Sequence, residues 1–313
     1  MSEKILEGRN WEKLGCLLKP GFGLKWLESH SGPSFVLPNH QNTELEIYIT
    51  GRDSLNRSHI GKAKLDLVNL KISDISENPI FTLGVPGTFD ESGVCYPCIV
   101  PYREKLYMYY VGCIPSVLTP FQADLGLAIQ SRPGSEFLRH SNAPILPRTN
   151  DDPLGTGSSF ILFENGRWRM WYTCFLGWGK TPTEPKHWYS IKYAESCDGI
   201  NWVRNSEICI PFRDEKEFCI ARPSVLKRNG VYHMWYSSRG ERYRIGYAIS
   251  DDGIHWNRHD QEGGLSLSAS GWDSLEQSFS HVFEYQSSLY MIYCGNNYGN
   301  EGLGLAKYKC KFQ

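Results

Sequence analysis

The chain has 313 residues, 41% of them hydrophobic, and a formal net charge of -1. That apolar share suffices for a buried core, and the near-neutral balance offers no electrostatic footprint for nucleic acid. No apolar run approaches the ~18 residues of a membrane span, and the start Met1-Ser2-Glu3-Lys4 lacks the apolar stretch of a secretory signal, so a cytoplasmic location is expected.

In chain order, a short aromatic strand followed by Gly-x-Ala appears first as Ile47-Tyr48-Ile49 with Gly61-Lys62-Ala63. It returns as Met108-Tyr109-Tyr110 with Gly126-Leu127-Ala128, and as Met170-Trp171-Tyr172 with Lys192-Tyr193-Ala194, where Lys replaces Gly. Met234-Trp235-Tyr236 with Gly246-Tyr247-Ala248 and Met291-Ile292-Tyr293 with Gly304-Leu305-Ala306 complete the set. The alanines lie 65, 66, 54 and 58 residues apart by subtraction of their positions. A period of this size signals a stacked or radial array. Five units of short strands with no helical pattern between them predict an all-β, five-bladed β-propeller.

The fourth unit is the clearest. Arg222-Pro223-Ser224-Val225-Leu226 makes the inner strand, Asn229-Gly230 the hairpin turn, Val231 to Ser237 the second strand and Tyr243 to Ser250 the third. Asp252-Gly253 then turns the chain into a fourth strand carrying Trp256; the third unit repeats this with Asn165-Gly166, Asp198-Gly199 and Trp202. A basic residue follows each large aromatic by two positions: Phe137/Arg139, Trp202/Arg204 and Trp256/Arg258. The fifth unit stops at Cys310-Lys311-Phe312-Gln313 without such a strand, whereas Asn10-Trp11-Glu12-Lys13 has its form. The N-terminal strand is therefore expected to complete the last blade and close the ring, giving one domain over residues 1–313.

Ten cysteines are present, and Cys95, Cys98, Cys174 and Cys294 fall inside predicted strands, which suits small buried hydrophobes in a reducing compartment. Cys95-Tyr96-Pro97-Cys98 has the spacing of a redox or zinc pair but no second partner pair. The segments around Asp198 and Asp252 resemble the Asp boxes of sialidases, in which the Asp closes a turn.

In a propeller the starts of the inner strands and the loops from strand two to strand three ring one mouth. That places His30, Arg52, Asp53, Asp90, Asp124, Asp152, Glu217, Arg222, Arg239, Asp273, Glu276, His281 and Asn296 on the same face. Two long connections add to it: Gly112 to Asp124, and Cys174 to Trp188 with Trp178, Glu184 and His187. Loops longer than about a dozen residues are commonly functional. Their aromatics either stack on sugar or pack the loop down.

Glycoside cleavage needs two carboxyl groups across the scissile bond, one of them protonated. Asp90, Glu217 and Glu276 are the catalytic candidates. Glu217 precedes Arg222 by five residues and Glu276 precedes His281 by five, which suggests equivalent sites in adjacent blades. His30, Arg52, Asp53, Arg222, Arg239, His281 and Asn296 are the candidate substrate-binding residues. The arginines suit a carboxylate or phosphate, as on an acidic sugar, a nucleotide sugar or inorganic phosphate. No cofactor is indicated; Ca²⁺ would suit a mouth with many oxygen ligands, yet no spacing demands a metal.

The fourth-unit pattern, from Arg222-Pro223-Ser224-Val225 through Tyr232-His233-Met234-Trp235-Tyr236-Ser237 to Asp252-Gly253-Ile254-His255-Trp256, resembles the five-bladed glycosidase superfamily. That group includes arabinanases, xylosidases, invertase-type fructosidases and mannoside phosphorylases. The segments Gly51 to Gly61, Gly271-Trp272-Asp273-Ser274 and Gly295-Asn296-Asn297-Tyr298-Gly299 look closest to glycosidase-like propellers found beside bacterial surface-polysaccharide genes. The resemblance implies a carbohydrate-active enzyme: a glycoside hydrolase, transglycosidase or phosphorylase. It also implies a base Asp at the start of inner strand 1, where this chain has Ser31-Gly32-Pro33-Ser34-Phe35; the invertase-type Asn-Asp-Pro, Arg-Asp-Pro and Glu-Cys trio is absent too. The alternative is a propeller that binds sugar without catalysis and serves polysaccharide assembly. A protein-interaction propeller would need an apolar patch rather than a charged mouth.

Overall fold

The computed structural model describes residues 10–37, 44–180 and 185–309. Glu184, Cys310 and the first residues of the chain lie outside them. The described residues are almost wholly strand. After β1 (Trp11–Leu18) come four antiparallel meanders: β2 (Ser34–Leu37), β3 (Glu44–Arg52), β4 (Ser58–Asp66) and β5 (Lys71–Ser73); then β6 (Gly93–Tyr102), β7 (Lys105–Pro115), β8 (Phe121–Gln130) and β9 (Phe137–Arg139). The third is β10 (Thr156–Glu164), β11 (Arg167–Lys180), β12 (Pro185–Ser196) and β13 (Val203–Ile208). The fourth is β14 (Cys219–Arg228), β15 (Val231–Arg239), β16 (Tyr243–Ser250) and β17 (Asn257–Arg258), followed by the single helical turn α1 (Asp260–Gly263). A fifth group has β18 (Ser278–Tyr285), β19 (Ser288–Cys294) and β20 (Leu303–Tyr308), and its outer strand is β1, which pairs antiparallel with β20 from Trp11↔Tyr308 to Leu18↔Leu303. Single parallel bridges, Ser58↔Gly93 and Tyr189↔Cys219, join meanders one to two and three to four. The first strands adjoin in succession: β2 touches β6, β6 touches β10, β10 touches β14, β14 touches β18, and β18 touches β2.

The repeat in the sequence has a packing cause. Each outer-strand aromatic packs edge-on against the second-strand aromatic of the preceding meander: Phe137 on Tyr48, Trp202 on Tyr109 and Trp256 on Trp171, with ring centroids 6.0–6.2 Å apart. Trp11 does the same to Trp235 at 6.1 Å, and its Nε1 donates to the Gly263 carbonyl. The glycine of Gly-x-Ala lies beneath another ring. A Cβ on Gly304 would stand 2.0 Å from the Trp272 indole, and one on Gly61 2.1 Å from Trp26.

Much of each long connection expected as a loop is strand. β7 runs to Pro115 and β8 restarts at Phe121, while β11 and β12 continue as a paired arm out to Lys180↔Pro185. The backbone groups of the arm hydrogen-bond to each other, and Trp178 stacks on Phe175 at 5.3 Å while His187 packs against Trp178 and Phe121. Those aromatics hold the arm down. Asp198 and Asp252 close their turns, each accepting backbone N–H bonds from the second and third residues beyond it. The nine described cysteines form no disulfide.

Candidate active site

Each inner strand is preceded by a loop, and four of these loops carry a buried acid that serves the same structural purpose. Asp90 accepts from Arg139 Nε at 2.7 Å and from the Tyr110 hydroxyl at 2.9 Å. Asp152 accepts from Arg204, Lys192 and the Tyr172 hydroxyl at 2.8–2.9 Å. Glu217 is forked by Arg258 at 2.6 and 2.9 Å, and Asp273 takes Lys13 Nζ at 2.6 Å and the Tyr293 hydroxyl at 3.0 Å. The basic partner is the residue two positions after the outer-strand aromatic: Arg139, Arg204, Arg258 and, from β1, Lys13. Each pair therefore latches the outermost strand of a meander to the loop before its innermost one. Burial alone would raise the carboxyl pKa of Asp152, Glu217 and Asp273; the donors outweigh it and hold all three below the ordinary value.

Asp90 and Glu217 are the first two catalytic candidates, and the latches are what their carboxylates serve in the structure. With relative exposures of 0% and 3% and every oxygen engaged, neither carboxylate is presented to a ligand. The strand pairing corrects the register. Ser224 pairs with Trp235 and His281 with Ile292, each the middle residue of its second-strand triplet, so Ser224 and His281 are the equivalent positions. Arg222 corresponds to Phe279, both at φ just above +50° in a bulge, and Glu276 has no counterpart in Glu217.

Glu276 stands apart from the latches. It is 4% exposed, and among the described residues its carboxylate accepts one hydrogen bond, from the Tyr298 backbone N–H at 3.1 Å. Burial raises its pKa, partly opposed by that N–H and by Arg239, Arg242 and Arg244 nearby. Asn296 builds its seat: Oδ1 accepts the N–H groups of Leu275 and Glu276 at 2.9 and 3.0 Å, while Nδ2 donates to Gly271 O and Glu301 Oε2. Asn296, a candidate for substrate binding, has its side-chain amide engaged in this seat.

Beside Glu276 stands an aromatic wall that the residue pattern did not single out. Tyr243 meets Phe279 at 5.3 Å and Tyr298 at 5.9 Å, Phe279 meets Tyr96 at 5.3 Å, and Tyr298 stacks on Phe279 at 6.3 Å. Tyr298 is 37% exposed. Tyr96, Phe279 and Tyr298 all hold left-handed φ values, which no local residue signal marks in advance. Arg239 lies over the Phe218 and Tyr243 rings, and Arg222 over Tyr96 at 5.7 Å.

The remaining expected residues divide. Arg52 and the half-buried His30 sit on the first meander; burial and the Arg52 charge push His30 down to about 4, leaving it neutral near pH 7. Asp53 is consumed locally by Arg57 and His59: burial opposes the shift, but these donors lower it to about 2. His281 is buried, its Nδ1 accepting Val36 N–H at 2.9 Å and its ring stacked on Phe35 at 4.1 Å, so it joins the fifth meander to the first. Asp124, raised by burial, is paired with Arg148 at 3.2 Å. A separate cavity of about 500 Å³ lies on the flank between the fourth and fifth meanders, lined by Arg213, Ser238, Arg244 and Asp260 but not by Glu276. Among the described residues no group of three or more His, Cys, Asp or Glu is placed to hold a metal ion, and no helix is long and apolar enough to cross a membrane.

The fold these meanders define is that of the propeller glycoside hydrolases. The structure superimposes on a solved glycoside hydrolase with a TM-score of 0.76 at 17% identity, over 97% of this chain and 93% of that one. It matches a structure from the GH130 family of mannoside phosphorylases with a TM-score of 0.72 at 16% identity, over 96% and 94%. By sequence the chain belongs to the family of the uncharacterized proteins MT1551 and Rv1502 of Mycobacterium tuberculosis, with 35% identity over 300 residues, 95% of this chain and 98% of each relative. A 1,2-beta-oligomannan phosphorylase of Thermoanaerobacter sp. is 28% identical over 128 residues, 38% of this chain and 43% of its own. No family profile matches the chain.

Proposed function

We propose that the five meanders are the blades of one closed propeller, with β1 as the outer strand of the last, and that the chain is a carbohydrate-active enzyme of the glycosidase type. Glu276 acts as the general acid at the mouth. The single observation that carries this reading is a buried carboxyl with no cationic partner within ion-pair distance among the described residues and a raised pKa, set beside exposed Tyr298. A protonated carboxylic acid is what the leaving oxygen of a glycoside requires, and an aromatic face is a suitable platform for a sugar ring. The glycosidase fold and the phosphorylase relative support the same class, whether the glycosyl group passes to water, to another sugar or to phosphate.

One observation favours a second reading. The start of β2, where the related arabinanases carry their base, presents Ser31 to Ser34, and Asp90 and Glu217 are spent in latches. A propeller that binds a sugar and serves polysaccharide assembly in the cytoplasm needs no second carboxylate. The test is to incubate the chain with a panel of mannosides, arabinosides and xylosides, with and without phosphate, and to compare Glu276→Gln. Release of sugar or sugar phosphate that Glu276→Gln abolishes supports the enzyme. Binding without turnover selects the second reading, and no binding of any sugar overturns both.

A further inference from the structure

We propose that Arg222 anchors an oxyanion site at the centre of the mouth, so that the ligand carries, or arrives with, a carboxylate or phosphate group. This deepens the carbohydrate reading and rests on it. The strand pairings place Pro33, Tyr96, Ser158, Arg222 and Phe279 at equivalent positions on the five inner strands. Two residues further along each strand stand Phe35, Cys98, Phe160, Ser224 and His281. Phe35, Phe160 and His281 pack on one another at 4.1–6.3 Å and plug the axis. Arg222 therefore lies on a largely apolar floor.

Arg222 as a residue is 2% exposed, yet no carboxylate among the described residues pairs with its guanidinium. Nη2 donates to the carbonyls of Ser34 and Pro97 at 3.0 and 3.2 Å, which fixes the plane of the group and leaves Nε and Nη1 without an acceptor among the described residues. A buried cation without a counter-charge is costly, and a bidentate oxyanion is the partner its fork fits. The hydroxyls of Ser34 and Ser280, one residue beyond Pro33 and Phe279 on their strands, are buried and have no hydrogen-bond partner among the described residues. Arg52 adds positive potential, because it and Arg222 both act on Tyr96 and Cys95. The backbone at Arg222 is held at φ +52°, an unfavourable conformation for a non-glycine residue, so the side chain is aimed at the cost of strain.

The test measures binding of sodium phosphate, glucuronate and glucose to the full chain at matched ionic strength, by calorimetry and thermal shift, in the wild type and in Arg222→Met. The expected result is saturable binding of at least one anion, weakened tenfold or more in Arg222→Met, while that variant keeps or gains stability in anion-free buffer. Phosphate alone binding identifies a free anion as the source; glucuronate alone identifies an acidic group on the sugar; both outcomes support the site. It is overturned when neither anion binds better than glucose, or when Arg222→Met binds equally well. Should that variant fail to fold, wild-type crystals grown with each anion decide: an oxyanion oxygen belongs within ~3.2 Å of Nε or Nη1, and its absence there sinks the proposal. Neutral sugars that still bind while both anions fail would remove this site and spare the carbohydrate reading; an anion bound with no sugar of any kind would do the reverse.

Discussion

Glu217 and Glu276 are both buried glutamates in the loop before an inner strand, and their environments are opposite. Glu217 meets the two-pronged guanidinium of Arg258 and has its pKa lowered. Glu276 meets a single backbone N–H, has arginines only at a distance, and has its pKa raised. The difference teaches that a buried acid in this fold is structural when the outer strand of its own meander supplies a cation. In the fifth meander that task falls to Asp273 with Lys13, which leaves Glu276 over. Burial is common to all of them; the partner decides the role.

The sharpest way to break the comparison is to remove the two carboxylates in turn. Glu276→Gln keeps the shape and the Tyr298 contact but loses the acid, and kcat should fall by about 10²–10⁴-fold with the fold intact by circular dichroism. Glu217→Gln should leave kcat per folded molecule within about twofold, and appear instead as lower stability. Equal loss of activity in the two variants would erase the distinction. The next largest effect concerns the latch itself. Lys13→Met leaves Asp273 buried beside Tyr293 without its cation, and urea denaturation should show a loss of about 3–5 kcal/mol. Adding Asp273→Asn should restore a good part of it, and a double mutant no better than the single would mean that the pair is not what β1 contributes.

Asn296→Ala tests the seat of Glu276. It frees two backbone N–H groups, costs about 1–3 kcal/mol of stability, and should shift the basic limb of the pH–rate profile; a change in stability with an unmoved profile would reduce Asn296 to a loop brace. The smallest effects are those of pH on stability. Asp152, Glu217 and Asp273 have folded pKa values below their unfolded values of 3.8 for Asp and 4.5 for Glu. Their contribution is fully present above the unfolded values and is lost as the pH falls through the lowered folded ones. Glu276 runs the other way: its contribution is present below 4.5 and lost as the pH rises through its raised folded value. Glu217→Gln should therefore flatten the acid side of the stability curve, and Glu276→Gln should raise stability slightly at pH 7.

Much of this architecture could be read from the residues. The Gly-x-Ala repeat marks where a strand passes under an aromatic ring, and the aromatic-x-basic signature marks the outer strand, Trp11 and Lys13 included. The acids that answer those basic residues could not be paired from the sequence, because Asp90, Asp152, Glu217 and Asp273 meet cations from strands far along the chain. Equal offsets misaligned Glu217 with Glu276, since bulges at Tyr96, Arg222 and Phe279 and unequal loops break simple counting. The connection from Cys174 to Trp188 reads as a loop in the sequence because of its length between the second and third strands, and Gly177 and Gly179 lie within it. In the structure both lie beneath or beside the Trp188 ring. Glu276 is a candidate in the sequence through an equal offset with Glu217, an equivalence that the pairing does not support.

The pairing of β1 with β20 also sets an order of events in synthesis. Trp11 and Lys13 are made more than 220 residues before their partners Trp235, Asp273 and Tyr308, by subtraction of positions. Until then the nascent chain carries β1 as an edge with nothing to bind, and the last meander is incomplete. A rearranged gene that encodes residues 10–18 directly after residue 309 would let the same strand arrive when its place is ready.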